Sequence, residues 1–207
     1  MDGVLVDGEP LHFEAVNTLL GEEGRSVTLE QYKPYMGTKA GWRELIRDLG
    51  LQHPYEYYEQ RYMPLMVQMY LTRSEALPGS VRLVKALAER NVPLVVCSSS
   101  VEPWVEAALK RIDLHGAFDH VVSGSDVENG KPAPDIYTLA AERAGKDPAR
   151  CLAIEDAPAG IKAARAAGMT CWAVRTDYTR GMDLPECDRV LDSLLEVRLE
   201  DIVGVTA

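Results

Sequence analysis

Residues 151–160 of the chain read Cys151-Leu-Ala-Ile154-Glu155-Asp156-Ala-Pro158-Ala-Gly160. The apolar start predicts a short buried strand at 151–154, and the proline behind the two acids predicts that a helix follows at once. A strand that leads directly into a helix is the repeating unit of a parallel sheet covered by helices. This stretch therefore predicts an α/β fold in which Glu155 and Asp156 lie at the carboxyl edge of a sheet.

The same alternation of strand and helix runs through the second half of the chain. Apolar runs predict strands at 92–97, 120–123, 151–154, 170–174 and 189–191, and helical spacing predicts helices at 81–89, 103–112, 136–144 and 161–167. Continuous apolar strands between helices are typical of a mostly parallel sheet covered on both faces. Pro93 is compatible with this pattern at the start of its strand. We therefore predict a Rossmann-like α/β core.

Residues 10–77 show helical spacing without strands. Apolar residues recur three and four apart at 11–20, 39–49 and 55–70, and glycines and Pro54 separate these runs. Pro78-Gly79 marks the boundary with the alternating part. The sequence therefore predicts a core formed by residues 1–9 and 78–207, with an α-helical unit, residues 10–77, inserted near its N-terminus.

The composition argues against several classes of binding partner and site. The net charge is −10 and no Lys/Arg cluster interrupts it, which argues against nucleic acid and anionic membranes. The four cysteines form no CxxC pair and no metal-ligand spacing, so buried thiols are expected. With no signal peptide and no apolar run near 20 residues, we expect a cytoplasmic protein, either a monomer or a weak dimer.

Acidic residues follow two of the apolar runs. Glu155 and Asp156 would repel each other without a local cation, and a hard divalent ion such as Mg²⁺ would remove that conflict. Asp156 capping the next helix is the alternative, although it leaves Glu155 unexplained. Near the N-terminus stands Asp2-Gly-Val-Leu-Val-Asp7, in which Asp7 is also a candidate helix cap. The pair Glu155-Asp156 therefore predicts a metal site, with helix capping as the competing interpretation for Asp156 and for Asp7.

Groups suited to phosphate follow two other strands. Ser98, Ser99 and Ser100 offer hydroxyls and backbone N–H groups at the start of a helix, although one of them could serve only as its N-cap. Lys131 stands in Gly130-Lys-Pro-Ala-Pro-Asp135, where two prolines restrict the loop and fix the direction of the ammonium. A lysine held in this way delivers a point charge to a phosphoryl group, the alternative being a solvated lysine.

Taken together and in this order, the four clusters resemble the motifs of the haloacid dehalogenase superfamily, in the branch of β-phosphoglucomutase-like phosphatases. The resemblance covers essentially the whole chain. It runs through residues 2–7 with 9–12, then Ser98, then 131–135 and 155–160. It implies a Rossmann-like core whose inserted helical unit is a cap that closes over the site and selects the substrate.

The resemblance also implies a mechanism. An aspartate would attack phosphorus to form an aspartyl-phosphate, while Asp2 acts as general acid and then as general base. Mg²⁺ would be held by Glu155 or Asp156 or both, together with the main-chain carbonyl of Asp2. Ser98 and Lys131 would hold the phosphoryl oxygens. The substrate would be a small phosphorylated metabolite, a sugar phosphate in particular.

The family motif reads Asp-x-Asp, and Met1 occupies the middle position. The attacking aspartate would therefore stand one residue before Met1, at the end of the central strand of the sheet. We expect the natural start to lie upstream of Met1. Without that strand the chain is expected to fold poorly, and without that aspartate it is expected to be inactive by this route.

Substrate contacts are expected from Ser99, Ser100 and His12, and from Lys39 or Arg43 in the cap. The resembling mutase uses a cap arginine soon after a glycine, and no arginine stands at that offset here, which favours a phosphatase over a phosphomutase. His12 packing at a hinge, and a solvated Lys39 or Arg43, are the alternatives. A non-catalytic phosphate binder also remains open, whereas a dehalogenase would not need the pair Glu155-Asp156.

Overall fold

The computed structural model describes residues 1–35, 41–177 and 179–206, with the side chains from 203 onward excepted. Its first part is helical and its second part alternates strands with helices. The first part contains α1 (Glu9–Gly21), α2 (Leu29–Tyr32), α3 (Gly41–Leu49) and α4 (Tyr55–Arg73). The second contains α5 (Ser80–Ala88), β1 (Val95–Ser98), α6 (Glu102–Arg111), β2 (His120–Ser123), α7 (Asp135–Arg143), β3 (Leu152–Glu155), α8 (Pro158–Ala166), β4 (Thr170–Val174), β5 (Arg189–Leu191) and α9 (Leu199–Thr206).

All strand pairs in the described residues are parallel. Strand β1 pairs with β2, and β3, β4 and β5 form a second ladder in that order. The predicted α/β class with a parallel sheet is therefore confirmed. Strand β1 begins at Val95 rather than at 92, because the N–H of Leu94 is taken by the Asp119 carboxylate at 2.8 Å. Pro93 consequently lies outside the strand.

The two ladders face each other across an apolar cavity, which we call the strand cleft. It has a volume of about 400 Å³ and is lined by β1 and β3, by helices α5 and α7, and by Met1. Among the described residues no ladder joins β1 to β3. Both strands therefore present one unpaired edge to an apolar space between them.

Helix α4 is the centre of the helical part. Its buried face carries Tyr58, Tyr62, Met66 and Tyr70, and the helix packs against α1 and α6. The indole of Trp104 in α6 donates to the carbonyl of Met63 at 3.1 Å, which ties the two helices together. The predicted helices at 11–20 and 55–70 are confirmed, and the one at 39–49 is described from Gly41. Helices α2 and α9 were not predicted.

Helix α2 shows why short elements escape a search for periodicity. It has only four residues, too few to repeat an apolar spacing, and a capping box between Thr28 and Gln31 fixes it. None of the helices that the structure describes is long and apolar enough to span a bilayer.

Candidate active site

Three helices begin without the side-chain caps that the sequence offered for them. Helices α1, α6 and α8 have Gly8, Val101 and Ala157 at their N-cap positions, without a side-chain cap hydrogen bond. The capping interpretation is therefore wrong for Asp7, Asp156 and the serines after β1. The side chains of Asp156 and these serines face a common cavity instead.

That cavity, the site cavity, has a volume of about 730 Å³ and lies at the carboxyl ends of β1 and β3. Every predicted site residue that the structure describes lines it: Asp2, His12, Arg43, Ser98, Ser99, Ser100, Lys131, Glu155 and Asp156. Lys39 lies outside the described residues. The carboxyl ends of parallel strands are where open α/β sheets bind ligands. Four distant sequence clusters thus meet in one place.

Asp2 is held at both carboxylate oxygens. Oδ1 accepts a hydrogen bond from the Tyr70 hydroxyl at 2.8 Å, and Oδ2 accepts one from Ser100 Oγ at 3.2 Å. The chain turns sharply behind it at Gly3, whose φ is +71°. A Cβ at Gly3 would lie 2.1 Å from Asp156 Oδ2, so glycine is what lets Asp2 and Asp156 share one wall of the site cavity.

Lys131 projects into the same region from the loop after β2. Its ammonium forms an ion pair with Glu155 and donates to the carbonyl of Cys97 at 3.3 Å. Glu155 also accepts from the hydroxyl of Tyr137. Burial alone would raise the pKa of Glu155, but the charge of Lys131 and these hydrogen bonds bring it below its ordinary value. Glu155 is therefore ionised and already committed to a cation.

Unlike Glu155, the carboxyl groups of Asp156 and Glu9 have raised pKa values. Burial and the charge of Glu155 raise the pKa of Asp156 to about 7. Burial, followed by the charges of Asp2 and Asp156, raises the pKa of Glu9 to about 7. Hence this side of the site cavity holds more carboxyl groups than it can ionise without a further cation.

The donor set fits one Mg²⁺ ion. Within the described part of the chain, no three His, Cys, Asp or Glu side chains form a ready-made metal cage. Mg²⁺ does not need one, because it takes one or two carboxylates and completes its shell with waters and substrate oxygens. Among the described residues, no cationic side chain is bound to Asp156, whereas Glu155 is bound by Lys131. Asp156 is thus the better placed of the two predicted ligands.

Two predicted substrate contacts lie on the helical side. His12 is bonded through Nδ1 to the Tyr62 hydroxyl at 2.6 Å and through Nε2 to the Tyr70 hydroxyl at 2.9 Å. Arg43 is exposed at the cavity wall, with its guanidinium carbon 4.1 Å from the centre of the Tyr55 ring. His12 therefore has both ring nitrogens engaged, while Arg43 keeps its charge towards the open space.

Sequence reasoning missed Tyr70, Tyr137 and Glu9. The two tyrosines recur at helical spacing with apolar neighbours, which indicates packing and gives no sign of a polar contact with a distant carboxylate. Glu9 did carry a signal, since it is the third acid within the first nine residues and directly precedes a helix-starting proline. That crowding of acids near Asp2 could have indicated it.

A family model described as haloacid dehalogenase-like hydrolase matches residues 1–168. The chain belongs to the haloacid dehalogenase-like hydrolases. This hydrolase is 36% identical over 179 residues to the fructose-1-phosphate phosphatase YqaB of Escherichia coli, covering 84% of this chain and 93% of the relative. It is 30% identical over 171 residues to the phosphorylated carbohydrates phosphatase of Thermotoga maritima, covering 82% and 79%.

Solved structures agree with this family. The structure of a CbbY mutant from Rhodobacter sphaeroides in complex with xylulose-(1,5)bisphosphate superposes on this chain with a TM-score of 0.86. The match has 27% sequence identity and covers 100% of this chain and 96% of CbbY. The predicted family and fold are confirmed, as is the enzyme class, a hydrolase with phosphatase relatives.

Proposed function

We propose that this hydrolase is a Mg²⁺-dependent phosphatase whose substrate is a small phosphorylated metabolite, specifically a sugar phosphate. The observation that carries the proposal is that Lys131, Ser98, Asp2 and Asp156 line one cavity. A phosphate needs fixed positive charge and hydrogen-bond donors, and its hydrolysis needs an acid and a base beside them. The sugar phosphate follows from the substrates named for YqaB and the Thermotoga relative.

Lys131 and Ser98 are assigned as the residues that donate hydrogen bonds to the phosphoryl oxygens. A lysine ammonium has three donors, and two of them reach Glu155 and the Cys97 carbonyl. The third remains for a phosphoryl oxygen. Ser98 is 3% exposed, and its hydroxyl oxygen already accepts from the N–H of Ser100, so its own proton is available to the substrate.

Asp2 is assigned as general acid and base. Its Oδ2 is bonded to Ser100 at the cavity wall, where it can protonate the leaving oxygen and later take a proton from water. Mg²⁺ would be held by Asp156 and by the main-chain carbonyl of Asp2, with Glu155 fixing Lys131. When bound, the ion neutralises charge on the transferring phosphoryl group.

The attacking carboxylate is assigned to an aspartate directly before Met1, at the end of an apolar strand seated in the strand cleft. Two observations support this. Strands β1 and β3 each present an unpaired edge to the cleft, which is apolar, so a strand between them would complete the hydrogen bonding of both. Met1 lines both the strand cleft and the site cavity, so a residue preceding it would stand where the two meet.

Residues 10–77 are assigned as the cap. They supply Arg43, Trp42 and Tyr55 to the wall of the site cavity, which places the means of substrate selection in this unit. A phosphomutase is the second candidate, because exposed Arg43 at that wall offers a charge that a second phosphate would need. The two functions differ in whether the phosphoryl group leaves to water or returns to the substrate.

The test compares the chain from Met1 with a chain carrying the residues naturally encoded before it. The extended protein is expected to release phosphate from p-nitrophenyl phosphate and fructose 1-phosphate with Mg²⁺, and to stop when Mg²⁺ is chelated. Replacing the preceding aspartate by asparagine should lower kcat by roughly 10⁶, as removal of an attacking group does. A folded, extended protein without turnover would rule out the phosphatase. A ³¹P NMR signal of transferred rather than inorganic phosphate would indicate the mutase.

A further inference from the structure

Tyr70 makes a contact that packing alone does not explain. Its side chain is fully buried in α4, at 0% exposure, yet its hydroxyl lies 2.8 Å from Asp2 Oδ1. Gly8 permits this approach. A Cβ at Gly8 would lie 1.8 Å from Asp2 Oδ1 and 2.6 Å from the Tyr70 hydroxyl. The helical part and the opening loop thus fit closely around one hydrogen bond to the assigned acid.

The direction of that hydrogen bond follows from counting protons. An ionised carboxylate only accepts, so the single proton of the Tyr70 hydroxyl points at Asp2. His12 Nε2, 2.9 Å from the same hydroxyl oxygen, must then be the donor to it. A neutral imidazole carries one proton, so Nδ1 accepts from the Tyr62 hydroxyl at 2.6 Å. The chain of hydrogen bonds runs from Tyr62 through His12 and Tyr70 to Asp2.

The charge states agree with this direction. Burial lowers the pKa of His12 below its ordinary value, against a smaller opposing effect of Asp2, so the ring is neutral. Burial and the neighbouring Asp2 raise the pKa of Tyr70 well above its ordinary value, so the phenol keeps its proton. Every donor in the chain therefore points towards Asp2 Oδ1.

We propose that Tyr70 is a positioning residue that fixes the rotamer of Asp2 through Oδ1 and leaves Oδ2 as the oxygen that exchanges a proton with the substrate. Oδ2 is the oxygen bonded to Ser100 at the wall of the site cavity. Because Tyr70 belongs to the assigned cap, the hydrogen bond to Oδ1 is made only while α4 is docked on the core, whereas Ser100 bonds Oδ2 from the core itself. This inference rests on the proposed function and adds a residue to it.

The leaving group separates this role from a structural one. A sugar alkoxide is a poor leaving group and needs the proton from Asp2, whereas p-nitrophenolate leaves without one. Asp2 also acts later as the base in the hydrolysis of the aspartyl-phosphate, a step that both substrates share, but kcat/KM reports only the steps up to departure of the leaving group. A mispositioned acid therefore lowers kcat/KM for a sugar phosphate and spares kcat/KM for p-nitrophenyl phosphate. Loss of folding or of phosphate binding would lower both together.

Tyr70→Phe removes only the hydroxyl, and Tyr58→Phe is the matched control. Tyr58 lies in the same helix and is equally buried, but its hydroxyl donates to Glu23 and it does not line the site cavity. In the extended protein, Tyr70→Phe should lower kcat/KM for fructose 1-phosphate about 10- to 100-fold, a part of the 10²- to 10⁴-fold that general acid catalysis supplies. For p-nitrophenyl phosphate it should change kcat/KM by less than about threefold, and Tyr58→Phe should affect both substrates equally.

Equal losses on both substrates, or no loss on the sugar phosphate, would overturn the inference while leaving the phosphatase intact. A parent protein that turns over neither substrate would be a different result, because it would refute the proposed function itself. The hydrogen bond has a readout without turnover as well. ¹⁵N NMR of His12 should show the neutral Nε2–H tautomer, and the Nδ1–H tautomer would overturn the inference, since Tyr70 would then donate to His12 instead of Asp2.

Discussion

Lys131 and Glu155 form an ion pair that is nearly closed off from solvent, with side chains 10% and 7% exposed. The lysine comes from the loop after β2 and the glutamate from the end of β3. Their pairing joins the two ladders at the carboxyl edge, below the site cavity. A charge removed from such a pair leaves its partner buried and uncompensated, which is far costlier than losing a surface pair.

Replacing Lys131 by methionine should therefore destabilise the fold. The single change leaves the Glu155 carboxylate buried without a compensating charge, and it should lower the free energy of unfolding by about 3–5 kcal/mol. The double variant Lys131→Met with Glu155→Gln should recover most of that loss, because no buried charge is left unpaired. Urea denaturation measures both. A double variant as unstable as the single one would mean that the ion pair is not the cause.

The sequence predicted which residues form this site better than it predicted which of them contact each other. Glu155 and Asp156 are adjacent in sequence, which suggested one shared metal. Successive side chains at a strand end point in opposite directions, and Glu155 accordingly meets Lys131 while Asp156 meets the loop of Gly3. Spacing along the chain identified the strand ends, since each motif follows its own apolar run.

Contacts between distant elements had no such local signal. The bond between Tyr70 and Asp2 joins residues 68 positions apart, and it depends on how α4 packs against the opening loop. Helical periodicity places a tyrosine on the buried face without saying which polar atom its hydroxyl meets. The parallel ladders were predicted from β-branched runs, but the start of β1 depended on a side-chain bond from Asp119.

Gly3→Ala should disturb the proposed Mg²⁺ site, and Gly168→Ala provides the control. Both glycines have positive φ, +71° and +83°, but a Cβ at Gly168 meets nothing within 4 Å, whereas one at Gly3 meets Asp156 at 2.1 Å. Gly168→Ala should cost about 1–2 kcal/mol from backbone conformation alone. Gly3→Ala should cost more and weaken Mg²⁺ binding at least about tenfold, or 1.4 kcal/mol. Calorimetric titration with Mg²⁺ and urea denaturation distinguish the two, and equal Mg²⁺ affinities would contradict the close approach.

Glu9 should make stability fall as pH rises. Its pKa in the folded protein is about 7 against an ordinary 4.5, so between these values the folded state binds more protons than the unfolded state. Stability is therefore lost as pH rises from about 4.5 to 7.

Glu9→Gln removes this loss, so its Tm relative to the parent should be higher at pH 8 than at pH 5. Melting without Mg²⁺ across this range tests it, with exposed Glu75→Gln as control. Parallel curves for parent and Glu9→Gln would refute the raised pKa.

Arg43 should distinguish substrates that carry one phosphate from those that carry two. It lines the site cavity above the Tyr55 ring, whereas Arg47 on the same helix is exposed, bonded to Asp48 and not part of the lining. Losing a hydrogen bond to a charged group costs about 1.5–3 kcal/mol, or roughly 10- to 100-fold in affinity. Arg43→Met should therefore raise KM for a sugar bisphosphate by that factor and change KM for fructose 1-phosphate less than about threefold. Arg47→Met should change neither. If Arg43→Met also leaves both KM values unchanged in steady-state assays, Arg43 is a solvated helix residue and the second phosphate has no partner at this wall.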